Sequence, residues 1–345
     1  MKAALIYAPG DVRIEQVPDP VIKHDEVLVK VMVCGICGTD VHYYRAGDPA
    51  MKEKPLIPGH EFSGEIVEIG TSVEGVKVGE RIIGTGLRDC GKCYWCRHKL
   101  GFCPNPAVPG EGLDGAFAEY VVVPNPMPGS LFFQIPDDFS WEKAATVEPM
   151  SVSCYAVEES RLKSGGTVVV LGAGVIGLGV VQACKAKGAS QVIVSEPSSM
   201  RREMARKLGA DTIINPFETD PAPAVTEATS GHMADVVFEC SGAPVALAQA
   251  GQMIQPFGKI MQVGIYERNP ELSPEQSKLM FQFRNATVRG CGGQRWDKAL
   301  ELMQSGAIQT DDLVTQTFAL DNIKEAFETQ ANSDKAIKVL VNIQR

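Results

Sequence analysis

Short apolar runs separated by turn residues fill the first part of the chain. Residues 2–7, 27–33, 62–69, 81–84 and 116–123 have strand lengths and strand composition, and Pro9-Gly10, Pro18 to Pro20 and Pro58-Gly59 break them apart. Gly64, Gly70, Gly75 and Gly79 punctuate the middle at spacings that suit a small twisted barrel better than helices. From Phe139 the period changes. Ser140-Trp141-Glu142-Lys143 reads as a helix start with Ser140 as N-cap, although Lys143 stands where a capping box has Glu or Gln. Strand-like and helical segments then alternate: strands at 167–171, 191–195, 212–215, 236–239 and 259–263, helices at 178–187 and 244–254. That rhythm predicts a doubly wound parallel sheet. Beyond Arg289 a helix (296–305) and a last strand (338–342) read as a return to the first domain. The expected organisation is α/β: a β domain over 1–150 with a cysteine-rich lobe at about 88–105, a parallel-sheet domain over 151–288, and a returning segment over 289–345.

The 345 residues suit two domains. A formal charge of −9 with no basic block argues against nucleic acid or an anionic membrane as partner. The opening residues lack the apolar core of an export signal. The longest uncharged run, 164–184, is interrupted by six glycines and does not read as a membrane span. The expectation is a soluble, cytoplasmic protein. Ten cysteines are many for such a chain, and six of them (Cys34, Cys37, Cys90, Cys93, Cys96 and Cys103) lie in the first third. In a large cytosolic chain that concentration points to metal or catalysis before disulfides.

Residues 34–64 gather the reactive types: Cys37, Thr39, Asp40, His42, His60 and Glu61. Thiolate, imidazole and carboxylate are the ligands of a borderline-soft cation such as zinc, and three protein ligands with one open position describe a catalytic site. Taken singly, Cys34 and Cys37 would read as small buried hydrophobes and His60 as a core histidine. Glu148 precedes Pro149 within an apolar helical run. A carboxylate buried there needs a metal or an ionic partner, so it is the candidate third ligand, or else the partner of an arginine. Cys90, Cys93 and Cys96 at intervals of three, followed by Cys103, can wrap four thiolates around one tetrahedral ion with no open position, which describes structural zinc. An iron–sulfur cluster is the competing reading.

Thr167 to Leu171 leads into Gly172-Ala173-Gly174-Val175-Ile176-Gly177 and then a helix. In this strand–turn–helix context the three glycines allow a tight turn, a close approach of pyrophosphate to the backbone, and close helix–strand packing. About twenty residues on, Glu196 ends the next strand, where a carboxylate accepts from a ribose diol and repels a 2′-phosphate; this favours NAD over NADP. Arg201 lies nearby. Ser241, with Gly242, and Val263 with Gly264 fall at strand ends, where such sheets bind ligands.

Over essentially its full length the chain resembles the zinc-containing medium-chain alcohol dehydrogenases. Gly59-His60-Glu61 with Gly64 matches that family's zinc signature, Cys37-Gly38-Thr39-Asp40-Val41-His42 its first-ligand loop, and the cysteine quartet its structural-zinc lobe, with the last gap one residue shorter than usual. Glu148-Pro149-Met150-Ser151-Val152, His42-Tyr43-Tyr44 and the stretch from Glu53 to Gly59 resemble the sorbitol, threonine and butanediol dehydrogenase branch. The resemblance implies a GroES-like β domain split around a Rossmann domain, two zinc ions per chain, NAD, and a homodimer or homotetramer. It implies hydride transfer between a secondary alcohol or polyol and NAD. Cys37, His60 and Glu148 would hold the catalytic zinc, with Glu61 ligating in some states; Asp40 would orient the His60 ring; Thr39 and His42 would carry the proton away. Cys37 thiolate, neutral His60 and Glu148 balance a dication, and Glu61 would leave the site anionic. One departure is Arg289-Gly290-Cys291-Gly292-Gly293, where sorbitol dehydrogenases carry an Arg-Tyr pair. The rival readings are the same chemistry on an amino alcohol, a sugar phosphate or a hydroxyacyl thioester, and a zinc- and nucleotide-binding module without turnover.

Overall fold

A computed structural model describes residues 1–47, 55–86, 88–100, 103–129, 132–266, 268–270, 272–332 and 334–345. The chain forms two compact units, Met1–Glu148 with Val314–Arg345, and Pro149–Leu313. Glu53 and Lys54, part of the resemblance to the sorbitol branch, lie outside the described residues.

The first unit opens with an antiparallel pair, β1 (Lys2–Ala8) and β2 (Asp11–Gln16). Its spine is β3 (Glu26–Gly35), in which Val27, Val29, Val31 and Val33 alternate inward and are fully buried. The chain turns into α1 (Gly38–Ala46) and returns as β4 (Glu61–Ile69), antiparallel to β3. Then come β5 (Arg81–Gly84), a short α2 (Tyr94–Arg97), the two-residue strands β6 (Val108–Pro109) and β7 (Gly112–Leu113), β8 (Tyr120–Pro124) and β9 (Phe132–Gln134). Within the predicted 116–123 strand, Ala118 only bridges Ala3, and the continuous strand starts at Tyr120. Ser140 caps α3 (Trp141–Ala145), its hydroxyl accepting from the Lys143 N–H at 3.1 Å. The helical run breaks at Thr146 before α4 (Val147–Ser160).

In the second unit β10 (Thr167–Leu171), α5 (Val175–Ala186), β11 (Gln191–Ser195), α6 (Ser199–Lys207), β12 (Thr212–Ile214), α7 (Pro221–Ala228), β13 (Ala234–Glu239), α8 (Ala246–Met253), β14 (Ile254–Gln262), α9 (Pro274–Ser277), β15 (Thr287–Gly290) and α10 (Trp296–Gln304) follow in order. The sheet runs β12-β11-β10-β13-β14-β15 with every neighbouring pair parallel. Strands buried on both faces need unbroken apolar runs, and Val168, Val169, Val170, Val192, Ile193 and Val194 supply them at zero exposure. Strand order reverses between β10 and β13, the switch point at which open α/β sheets bind ligands.

The chain returns to the first unit as β16 (Val314–Ala319), α11 (Ile323–Gln330) and β17 (Lys338–Asn342). β8 pairs with the first half of β3 and β17 with its last residues, on the edge opposite β4. The return therefore begins at Val314 and not at Arg289. Residues 289–313 stay with the second unit because β15 hydrogen-bonds to β14 in parallel, Ile260 facing Val288 and Met261 facing Arg289.

Candidate active site

Three strand ends meet where β3, β4 and β17 run side by side in the first unit. Gly35 on β3 faces Glu61 on β4 and Leu340 on β17. Two residues past Gly35, Cys37 is the N-cap of α1, and Asp40 sits three positions on, closing a capping box. The fully buried Asp40 carboxylate accepts from the Cys37 N–H at 2.9 Å and from the Gly59 N–H at 3.1 Å. It thereby ties the Cys37 loop to the His60 loop. The expectation was contact with the His60 ring; the structure shows each oxygen accepting from a backbone N–H, with Asp40 acting on His60 through its charge. Burial pushes the Asp40 carboxyl up to about 6 against the lowering effect of His60 and of the Cys37 N–H.

Ligand atoms of Cys37, His60 and Glu61 all lie within 4.8 Å of one another. His60 and Glu61 are buried, and the His60 Nδ1 atom is buried without a hydrogen-bond partner; the nearest acid to it, Glu111, is 3.8 Å away. Burial, then the charge of Glu61, raises the Cys37 thiol. Burial would lower the His60 imidazole, but Cys37, Asp40 and Glu148 together outweigh it and leave the ring well above its usual range. A dication resolves both shifts at once, because it holds thiolate and neutral imidazole as ligands. The donor set and the unpartnered nitrogen thus fit a zinc ion. Glu148 lies in the first turn of α4, is buried, and acts on His60 and on Lys338 through its charge, but lies outside the three-residue cluster.

Lys338 is the residue that sequence reasoning missed. It is fully buried on β17, its ammonium paired with Glu61 and also donating to the Ile36 carbonyl at 2.9 Å. A Cβ on Gly35 would stand 2.5 Å from Glu61 Oε2 and 2.8 Å from Lys338 Cε, so glycine there makes room for the pair. The only local signal was a lysine inside an otherwise apolar strand. Its charge changes the balance of the site: Cys37, Glu61 and Glu148 are three anions, and a dication with Lys338 matches them. Thr39 lies on α1 with its hydroxyl 3.7 Å from the Cys37 sulfur, and His42, one helical turn on, is half-buried. Cys34 is fully buried and its thiol is pushed well up by burial, which makes it a packing residue.

The second cysteine group is equally compact. The sulfurs of Cys90, Cys93, Cys96 and Cys103 lie within 4.8 Å of one another, with Cys93–Cys96 at 3.3 Å and Cys90–Cys96 at 3.9 Å. These separations bracket the ~3.8 Å edge of a ZnS4 tetrahedron with bonds of ~2.3 Å. Backbone N–H groups of Lys92 and Cys93 bring the Cys90 thiol down to about 6.

In the second unit Gly172 takes φ +91°, and a Cβ on it would meet Ser241 Cα at 2.9 Å. A Cβ on Gly177 would stand 2.0 Å from the Gly172 carbonyl oxygen. Gly174 caps α5 and faces open space, with the Arg201 guanidinium at its rim, 3.9 Å from where a Cβ would be. Val175 and Ile176 form the first turn of α5 and are half-buried. This is a backbone cradle at a helix N-terminus, and it fits a pyrophosphate. Glu196 is turned inward: Oε2 accepts from the Ala173 N–H at 2.6 Å and Oε1 from the Ser198 N–H at 2.9 Å. Each oxygen retains a second lone pair for a ribose hydroxyl. Ser241, Val263 and Gly264 lie just beyond the ends of β13 and β14.

Known proteins repeat both halves of this arrangement. The zinc-binding dehydrogenase family matches residues 175–305, and the alcohol dehydrogenase GroES-like domain matches residues 23–137. The chain is 36% identical over 352 residues to sorbitol dehydrogenase of Bacillus subtilis, covering 99% of this chain and 97% of that one. It is 40% identical over 311 residues to L-threonine 3-dehydrogenase of Pyrococcus abyssi, covering 88% and 87%. The crystal structure of 2R,3R-butanediol dehydrogenase from Bacillus subtilis superposes with a TM-score of 0.86 at 35% identity, over 99% of both chains.

Proposed function

The chain belongs to the zinc-dependent alcohol dehydrogenases of the medium-chain family and is an oxidoreductase; from that premise we propose that it oxidises a secondary alcohol or polyol to the ketone with NAD as hydride acceptor. The observation that carries the proposal is the convergence of Cys37, His60 and Glu61 beside an unpartnered imidazole nitrogen. Cys37, His60 and Glu61 would hold the catalytic zinc, with Glu148 exchanging for Glu61, and the four cysteines the structural one. When bound, the catalytic cation supplies Lewis acidity to the alcohol oxygen and the dinucleotide supplies the hydride acceptor.

The chain's own residues do the rest. Lys338 holds Glu61 by one oxygen and so sets how much of its charge reaches the metal. Asp40 fixes the spacing of the Cys37 and His60 loops. Thr39 accepts the substrate's hydroxyl proton and hands it toward His42. Gly174 and the α5 N-terminus take the pyrophosphate, Glu196 and Arg201 the adenosine ribose, and Ser241, Val263 and Gly264 the nicotinamide half. A Glu196 carboxylate at this place opposes a 2′-phosphate, which supports NAD.

A second reading, oxidation of the hydroxyl of a 3-hydroxy amino acid such as threonine, is supported by the 40% identity to the threonine enzyme. Dinucleotide reduction with sorbitol, xylitol, 2,3-butanediol, threonine and galactitol 1-phosphate, using NAD or NADP with and without a chelator, separates the readings. Turnover that is NAD-linked and abolished by the chelator is expected; silence with every alcohol would sink the proposal.

The protein is also expected to form a homodimer, alone or within a tetramer, through β15. That strand ends the parallel sheet, all four of its residues are exposed, and Phe281 and Phe283, a few residues before it in the chain, are exposed large apolar residues. An uncovered edge of this kind pairs readily with its own copy. Light scattering on the eluting protein should give at least twice the chain mass, and a monomer would refute this.

A further inference from the structure

Glu239, the last residue of β13, is fully buried. Oε1 accepts from the Ser241 N–H at 2.8 Å, the Gly242 N–H at 3.0 Å and the Ser241 hydroxyl. Oε2 accepts from the Gln262 side-chain amide at 2.6 Å. That amide also donates to the Gly264 carbonyl at 2.8 Å, and its own oxygen accepts from the Tyr266 hydroxyl at 2.7 Å. Among the described residues no cation pairs with Glu239. Four donors make burial of the carboxylate tolerable, but a neutral residue would be cheaper to bury. The charge therefore calls for another explanation.

Its position supplies one. Glycines clear the space at the carboxylate and at the turn it holds. A Cβ on Gly264 would stand 2.7 Å from Glu239 Oε2, one on Gly242 would stand 2.2 Å from the Ile265 carbonyl oxygen, and one on Gly172 would strike Ser241. In a sheet of this order the first mononucleotide half binds over the β10–β11 side and the second over β13 and β14. The second half of the dinucleotide carries the nicotinamide, a cation when oxidised and neutral when reduced. We infer that Glu239 is a positioning residue for that half: it fixes the Ser241–Gly242 turn beneath it, and its buried negative charge favours the oxidised ring over the reduced one. The inference rests on the dinucleotide-binding reading above. The field of Glu239 extends at least to Tyr266, whose phenol is pushed up to about 12 by burial and then by this carboxylate.

The test measures equilibrium dissociation constants of the zinc-loaded protein for NAD+ by calorimetry and for NADH by fluorescence, at one pH and salt concentration. Glu239→Gln should weaken NAD+ on the order of tenfold while changing NADH binding by less than about threefold, because removing the charge acts on the cationic ring alone. The double variant E239Q/Q262E returns one carboxylate to the same network and should restore the wild-type ratio. Should E239Q not fold, Glu239→Ser, which offers a hydroxyl to the same turn, is the neutral variant with the same expected ratio. Equal weakening of both forms, or an unchanged ratio, would mean a merely structural role and overturn the inference alone. A wild-type protein that binds neither form would overturn the dehydrogenase reading with it.

Discussion

Replacing Lys338 by methionine keeps most of the side chain's volume and removes only its charge. Lys338 and Glu61 are essentially inaccessible, with side-chain exposures of 0% and 2%. Surface screening therefore does not reduce the interaction, and the variant strands a buried carboxylate. Removing one partner of such a pair costs about 3–5 kcal/mol. In the zinc-loaded protein the dication shares Glu61, so the lower end, about 3 kcal/mol, is expected. For a unit of this size that lowers its melting temperature by roughly 6–12 °C. Glu61 loses the ammonium that shares its charge and turns wholly to the metal, so turnover should fall on the order of tenfold as zinc becomes harder to chelate. The decisive measurement is a double-mutant cycle with Glu61→Gln, which keeps the shape and removes the opposing charge. K338M in the E61Q background should cost less than in the wild type by roughly 2 kcal/mol. If the two costs agree within about 0.5 kcal/mol, Lys338 is not there for Glu61, and the charge balance drawn for the site fails.

Gly35→Ala should destabilise the first unit by about 1–3 kcal/mol and lower activity, since its methyl would sit 2.5 Å from Glu61 Oε2; a melting curve at wild-type position would refute the packing argument. Cys103→Ser should reduce bound zinc from about two ions per chain to about one, read by elemental analysis, and leave the lobe at 88–105 open to proteolysis. Glu196→Ala leaves the Ala173 and Ser198 N–H groups without their acceptor, at about 1–3 kcal/mol, and NAD should bind correspondingly more weakly while discrimination against NADP narrows. Thr39→Val should lower kcat by about 10²-fold or more with the dissociation constant for NADH unchanged; an equal loss in both would make Thr39 a packing residue.

What the sequence carries clearly is whatever is local. The parallel sheet was legible because strands covered on both faces need unbroken β-branched runs, and Thr167–Leu171 and Gln191–Ser195 are such runs. The cysteine quartet spans fourteen positions, so its spacing alone implies a closed cluster. β15 was not legible: all four of its residues are exposed, it ends on Gly290, and Gly292 and Gly293 come soon after, so nothing in its pattern separates an edge strand from a loop. Asp40 was read only as an orienter of His60, although a local rule gave it a second role: it stands at the capping-box position after Cys37 and so also belongs to the helix start. The Glu61–Lys338 pair joins residues 277 positions apart, beyond any spacing rule. Yet one inference was within reach. Lys338 is flanked by Ile337, Val339 and Val341, all buried, and a lysine on such a strand requires a buried acid. The buried acids of the first unit, among the described residues, are Glu26, Asp40, Glu61 and Glu148. The structure gives Glu26 to Arg88 and Glu61 to Lys338. The acid that Lys338 neutralises is thus itself one of the candidate metal ligands, so the distant ion pair sets how much of the Glu61 charge is left for the metal.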